Sequence, residues 1–232
     1  MLRELNDASL KVGLSMNRSK TQAITNRRKQ VIEVDGQVIQ YVDEYIYLGQ
    51  LVSFENRQGK EIDRRIDNAW KCYWSMKDLM KGTLPLSLKR KFVDICILPV
   101  LTYGSQTWSL TEQQKTKLKV CQRAMERSIL GVKRTDCVRN TTLRSKTQIA
   151  DVGVQTAKLK WSWAGHISRM GPDRWAKLAT EWVPRAGTRK QGRPKRRWRD
   201  DIDRYLPGWW EAAPDRKAWS KLGETFAQQW DT

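Results

Sequence analysis

Residues 111–131 read TEQQKTKLKVCQRAMERSILG, and this stretch predicts one complete helix. Thr111 followed by Gln114 is a capping-box pattern, in which each side chain bonds the backbone N–H of the other residue. Gly131 follows at the position where glycine commonly ends a helix. The apolar residues between them recur every three or four positions, as on one buried helix face: Leu118, Cys121, Met125 and Ile129.

The same periodicity predicts helices on both sides of this stretch. We expect them from about Lys60 to a stop at Gly82, from about Ser87 to just before Pro99, and from about Gln155 to Met170. Three amphipathic helices in succession predict a helical bundle over residues 58–133.

The first 57 residues mix helix and strand. A helical pattern begins at Leu2 and stops at Gly13, and two segments that contain β-branched residues, 31–34 and 38–41, flank an Asp-Gly pair at 35–36. Asp-Gly suits the tight turn of a β-hairpin because both positions accept positive φ angles. Residues 45–48 predict one more short strand, which ends at Gly49. The predicted fold class is therefore α+β and mainly α.

Changes in composition divide the chain into five predicted segments. They are a strand-containing N-terminal segment 1–57, a helical bundle 58–133, a helical segment 134–184, a basic linker 185–199 and Trp-rich C-terminal helices 200–232.

The charge balance restricts the class of partner. Lys and Arg total 44 against 25 Asp and Glu, which gives a net charge of +19. Polyanions are the natural counterions of such an excess, so nucleic acid, the ribosome and an anionic membrane surface are candidates. The membrane is the weakest of them, because no apolar run approaches the roughly 18–20 residues of a membrane span and the N-terminal residues do not resemble a signal peptide. The expected compartments are the nucleus and cytoplasm.

The cysteines are widely spaced and are expected to be reduced, since no secretory signal accompanies them: Cys72, Cys96, Cys121 and Cys137. No Cys-x-x-Cys pair is present to nucleate a zinc site, and His166 is the only histidine. On a predicted helix beside tryptophans, His166 is expected to pack or to face nucleic acid, and no partner for a catalytic triad is recognisable.

The basic segment carries the strongest binding signal. Residues 191–199 read QGRPKRRWR, where Gly and Pro favour an extended backbone whose cations can follow a phosphate track. The run resembles the Arg-Gly-Arg-Pro core of an AT-hook, with Gln191 in place of the first Arg; a nuclear-import signal and a solvated linker are the alternatives. The predicted nucleic-acid ligands here are Arg189, Lys190, Arg193, Lys195, Arg196, Arg197, Trp198 and Arg199.

The adjacent Asp200 and Asp201 permit two interpretations. Paired aspartates hold divalent metals in polymerases, but those pairs need a third carboxylate and lie in an apolar hairpin. Acidic residues at the start of a helix are stabilised by its dipole, and this interpretation is favoured. Trp198, within the cations, is a candidate for base stacking. Core packing is expected for the tryptophans with helical spacing: Trp70, Trp74, Trp161 and Trp163.

Several motifs together resemble the downstream part of the endonuclease–reverse transcriptase of LINE-type (non-LTR) retrotransposons. They occur in the same order and cover nearly the whole chain: VGLSMN (12–17), SKT (19–21), YIYLGQL (45–51), LPVLTYGSQTW (98–108), WAGHISRM (163–170), GRP (192–194) and RWRDDI (197–202).

The resemblance implies roles for individual residues. Lys20 matches the lysine of palm motif D, which assists nucleotide addition, and Tyr47, Leu48 and Gly49 match the primer grip. Residues 1–57 would then be a palm remnant, 58–133 a thumb that holds template–primer, and the remainder a C-terminal region that binds RNA or target DNA. The aspartate motif that binds Mg²⁺ in the full-length enzyme is not matched, so no cofactor and no catalytic residue are expected in this chain.

The leading functional prediction is therefore a nucleic-acid-binding fragment of an RNA-directed DNA polymerase that grips RNA or DNA through phosphates. The alternatives are a polymerase subunit that becomes active when a full-length reverse transcriptase supplies fingers and palm, and a transposon remnant without function.

Overall fold

The computed structural model describes residues 2–34, 36–182 and 196–230. The chain is mainly helical, and all strands in the described residues are short, which confirms the predicted α+β, mainly α class. It forms two compact units, residues 1–61 and 62–232. The finer division into five segments stays a prediction.

In its described residues, the first unit contains the helix α1, a short helical turn at Arg18–Lys20 and three strand pairs. Its elements are α1 (Leu2–Lys11), β1 (Gln22–Ala23), β2 (Glu33–Val34), β3 (Gln37–Val38), β4 (Gln40–Tyr41), β5 (Glu44–Tyr47) and β6 (Gln50–Ser53). Strand β1 pairs with β4 in parallel, whereas β2 with β3 and β5 with β6 form antiparallel pairs. Each pair is too short to be stable by itself, so these strands depend on the rest of the unit.

The predicted hairpin at residues 31–41 is confirmed in position but is shorter than predicted. Val34 pairs with Gln37 across the turn, and Gly36 has a φ of 73°. Gln40 does not continue the hairpin; it pairs instead with Gln22, a residue remote in sequence. Local strand patterns do not report such a partner.

The strand predicted at residues 45–48 is one arm of a second hairpin. Tyr47 pairs with Gln50, and the two residues between them, Leu48 and Gly49, have φ angles of 48° and 77°. Two consecutive positive φ angles are the signature of a type I′ hairpin turn.

The helices from α2 onward are α2 (Arg57–Ser75), α3 (Lys77–Lys81), α4 (Leu86–Phe92), α5 (Leu98–Thr102), α6 (Glu112–Leu130), α7 (Asn140–Thr147), α8 (Val152–Ser168), α9 (Trp175–Glu181), α10 (Asp200–Tyr205), α11 (Trp209–Ala212) and α12 (Arg216–Gln228). In the described ranges, no helix combines the length and the apolar character needed to cross a membrane.

Two predicted helices differ from the structure, although the predicted stop at Gly82 is confirmed, because Gly82 follows the last residue of α3. The helix expected from Lys60 to Gly82 is interrupted at Met76. Just before this break, at the end of α2, the Ser75 hydroxyl donates a hydrogen bond to the Cys72 carbonyl at 2.8 Å. The helix expected to end before Pro99 continues through a π-helical segment, Val93–Ile97, into α5. Proline is tolerated there because a residue in the first helical turn needs no N–H.

The capping prediction for α6 is confirmed, whereas the start of α8 differs from the predicted one. At α6, Thr111 and Gln114 form the predicted capping box, and Gly131 ends the helix with a φ of 70°. Helix α8 begins earlier than predicted, because the Asp151 carboxylate accepts the backbone N–H groups of Gly153 and Val154 at 2.8 and 3.2 Å.

Tryptophans supply much of the core of the second unit. Trp161 is buried as predicted, and it packs with Trp209, Trp219 and Phe226 in one apolar cluster. The prediction for Trp74 is wrong: its side chain is 49% exposed and stacks on Trp70, four residues earlier, rather than entering the core. The four cysteines are free thiols, as predicted.

Candidate nucleic-acid interface

The predicted ligands Arg196 to Arg199 lead into α10 and contact residues of other elements. The Trp198 indole N–H donates to the Gln106 carbonyl at 2.7 Å, and Lys160 Nζ lies 5.6 Å from the centre of the Trp198 ring. Trp198 is therefore half-buried and held in place, and only part of its ring is accessible.

Two of the three arginines in this segment already pair with carboxylates. Arg196 forms ion pairs with Asp201 and, at 3.3 Å, with Glu112. Arg199 Nε lies 3.2 Å from Asp203. Arg197 differs from both, because its side chain is exposed and no group of the described residues forms an ion pair or hydrogen bond with its guanidinium. Its charge is available to an external anion.

A buried lysine holds the start of α10 against α8. Lys160 Nζ lies 2.7 Å from Asp201 Oδ2 and 3.2 Å from the Trp108 carbonyl oxygen, and its side chain is almost completely buried. Burial, together with the nearby charges of Arg196 and Lys115, lowers the pKa of Lys160 to about 7. The contacts of Lys160 with Asp201 and with the Trp108 carbonyl hold the segment that carries Trp198.

The aspartates at 200 and 201 begin a helix, as predicted. Asp200 accepts the backbone N–H of Arg197 at 2.7 Å in the first turn of α10, and Asp201 is buried between two cations, Lys160 and Arg196. A carboxylate that is neutralised in this way is a poor metal ligand. Among the residues that the structure describes, no three His, Cys, Asp or Glu side chains cluster so that they could hold a metal ion.

A groove of ≈ 590 Å³ lies between the Arg196–Arg199 segment and helices α8 and α9. We call it the tryptophan–arginine groove, after the residues that line it: Trp163, Trp182, Trp198, Arg196, Arg197 and Arg199. Its volume is within the roughly 300–1,000 Å³ of small-ligand sites. It combines aromatic walls with cations.

The sequence did not indicate two of these tryptophans as site residues. Trp163 was expected in the core, and the structure instead leaves it half-buried at the groove, with its ring 5.3 Å from His166, which is exposed. Trp182 follows the last residue of α9 and matches no motif. In the sequence, a tryptophan lies within an uninterrupted run of cations only at Trp198.

The remaining predicted ligands that the structure describes are in two other places. In the first unit, Tyr47, Leu48 and Gly49 form the exposed tip of the β5–β6 hairpin. Lys20 is exposed in a separate short helical turn, where its backbone N–H bonds Asn17 Oδ1 at 3.1 Å. The other four lie outside the described residues: Arg189, Lys190, Arg193 and Lys195.

Comparison with known proteins gives one relative. A transposon-derived protein of Caenorhabditis elegans is 30% identical over 239 residues, which cover 94% of this chain and 86% of the nematode protein. No protein-family model matches the chain. No solved structure matches it either.

Proposed function

Because this chain belongs to a family of transposon-derived proteins, we propose that it binds nucleic acid through phosphates, as a segment of a LINE-type reverse transcriptase without catalytic aspartates. Template–primer and target nucleic acid are the ligands that this origin implies. The proposal extends to the thumb and C-terminal roles of residues 58–232.

The proposal depends mainly on the state of the Arg197 side chain. Its guanidinium is exposed and unpaired within the described residues, whereas the neighbouring Arg196 and Arg199 are matched by carboxylates. A guanidinium binds phosphate oxygens with two parallel hydrogen bonds, so this arginine suits a backbone phosphate. The net charge of +19 supplies the long-range attraction that brings a polyanion to it.

The state of the single Asp-Asp pair supports binding rather than catalysis. Asp201 is buried and paired with Lys160, and Asp200 accepts the backbone N–H of Arg197. Phosphoryl transfer by two metals needs carboxylates that are free to coordinate them.

A charge reversal tests the proposal. We expect Arg197→Glu to weaken binding of a labelled DNA or RNA oligonucleotide by about tenfold, because one phosphate contact is replaced by repulsion. Lys221→Glu on α12 is the matched control: the residue is exposed, makes the same charge change and does not line the groove. Equal losses in both variants, measured by fluorescence anisotropy, would count against a phosphate contact at Arg197.

The hairpin tip favours a second candidate, a polymerase subunit completed by another chain. Leu48 and Gly49 form an exposed two-residue turn of the kind that the resemblance assigns to a primer grip. Primer extension with Mg²⁺, with this chain alone and with a full-length reverse transcriptase, tests it. We expect this chain to increase primer extension by the full-length enzyme. If a Leu48→Asp variant increases it equally, this candidate is removed.

A further inference from the structure

The aromatic walls of the tryptophan–arginine groove are separate from one another. Across the described part of the chain, the rings of Trp163, Trp182 and Trp198 do not stack on each other, although many other tryptophans of this unit do. Trp182 is 71% exposed. Large exposed aromatic surface beside a cavity marks a binding site more often than it marks packing.

The charge of the groove restricts its occupant. Arginine is the only charged residue type among its lining residues in the described part of the chain. Asp201 and Asp203 neutralise Arg196 and Arg199, which leaves the charge of Arg197 uncompensated. The occupant therefore needs a planar ring for the tryptophans and an anionic group for Arg197.

We propose that the groove takes an unpaired base of single-stranded nucleic acid, which stacks on Trp182 while its phosphate binds Arg197. This inference rests on the proposed function and names the form of nucleic acid that the groove selects. Tryptophan stacks on any base, so the selection is for single strands rather than for a sequence. A base inside a duplex is already stacked on both faces and is not available to the ring.

The side chains around Trp198 support the same occupant. Trp198 is fixed by its hydrogen bond to Gln106, and Lys160 lies over its ring. This wall of the groove is therefore preorganised, which lowers the entropic cost of binding a ring. Trp182, at the end of α9, supplies the exposed wall.

Two oligonucleotides with the same number of phosphates separate stacking from charge. One is an oligothymidine of about 12 nucleotides and the other is an abasic strand of equal length, both labelled for fluorescence anisotropy. We expect the thymidine strand to bind about tenfold more tightly, because stacking is lost in the abasic strand. Equal affinities would overturn the inference and leave the proposed function standing. If neither strand binds at low salt, the inference fails, and the proposed function fails as well if a labelled duplex of equal length does not bind either.

Variants place the effect at the groove. Trp182→Ala is expected to remove the advantage of the thymidine strand and to leave abasic binding unchanged. Trp175→Ala is the matched control, since Trp175 is the first residue of the helix that Trp182 follows, is also exposed, and does not line the groove. Both substitutions are at exposed positions, and far-UV circular dichroism checks their folding. An undiminished advantage in Trp182→Ala would contradict the inference.

Discussion

Trp161 and Trp219 each donate their indole N–H to the backbone carbonyl of the other, at 2.7 and 3.0 Å. Their rings stack with centroids 3.9 Å apart and planes 11° apart. Each tryptophan is followed four residues later by a glycine, Gly165 and Gly223, and each glycine lies under the ring of the opposite helix. This reciprocal arrangement joins α8 to α12 and forms the centre of the second unit.

The first prediction concerns the space that these glycines provide. A Cβ at Gly165 would lie 2.4 Å from Trp219 Nε1, and one at Gly223 would lie 2.5 Å from Trp161 Cδ1. We expect either Gly→Ala substitution to lower the free energy of unfolding by about 1–3 kcal/mol, because a packed ring must move. Urea unfolding measures it. Gly171→Ala, whose Cβ would meet open space, is the control, and an equal loss there would refute the explanation.

The second prediction concerns Asp151, whose two carboxylate oxygens bind different partners. Oδ1 caps α8, whereas Oδ2 forms an ion pair with the buried Arg123 and lies 3.7 Å from Arg144. We expect Asp151→Ala to cost about 3 kcal/mol, because it leaves a buried cation with one partner fewer. Asp151→Asn keeps the cap and is expected to cost about 1 kcal/mol less than Asp151→Ala. Equal thermal stabilities of the two variants would show that the cap contributes nothing.

The third prediction is a pH dependence from Lys160. Burial, together with Arg196 and Lys115, lowers its pKa from 10.5 to about 7, against the opposing charge of Asp200. Between pH 7 and 10.5 the unfolded chain therefore binds a proton that the folded chain lacks. Unfolding takes up this proton, so the free energy of unfolding rises with pH over this window, by at most about 1.4 kcal/mol per unit.

Lys160→Met isolates this contribution, because methionine fills similar space without a charge. Chemical denaturation of both proteins at several pH values from pH 7 upward gives the slope of the free energy of unfolding against pH for each protein. The wild-type slope is expected to exceed that of the variant. Parallel slopes would mean that Lys160 does not titrate in this range.

The fourth prediction concerns the hairpin tip. Leu48 has a φ of 48° and is 77% exposed, so its left-handed backbone is strained without compensation from burial. Leu48→Asn is expected to stabilise the β5–β6 hairpin by about 1 kcal/mol, because Asn adopts this conformation more readily. Amide hydrogen exchange should slow in both strands. Leu48→Val should accelerate it, and the opposite order would contradict a left-handed tip.

The sequence predicted features that depend on near neighbours. The capping box at Thr111, the stop at Gly131 and the Asp-Gly hairpin each involve residues a few positions apart, and each is present. Periodicity could not show that Pro99 continues a helical path, because that requires the π-helical segment before it.

The candidate site was predictable only in part, for the same reason. The cluster Arg196–Arg199 is visible as a run of cations, but the partner of each cation is not. Lys160 meets Asp201 across 41 positions, and Trp198 bonds Gln106 across 92. Such pairs form when helices pack, so the sequence could not indicate that Arg197, rather than Arg196, keeps a free charge.

The salt dependence of nucleic-acid binding tests the proposed function most directly. Each neutralised phosphate releases counterions, so a protein with several phosphate contacts loses affinity steeply as salt rises. We expect the affinity for a labelled oligonucleotide to fall about a thousandfold or more between about 50 and about 200 mM salt. An affinity that stays constant over this range, or no binding at the lowest salt, would contradict recognition through phosphates.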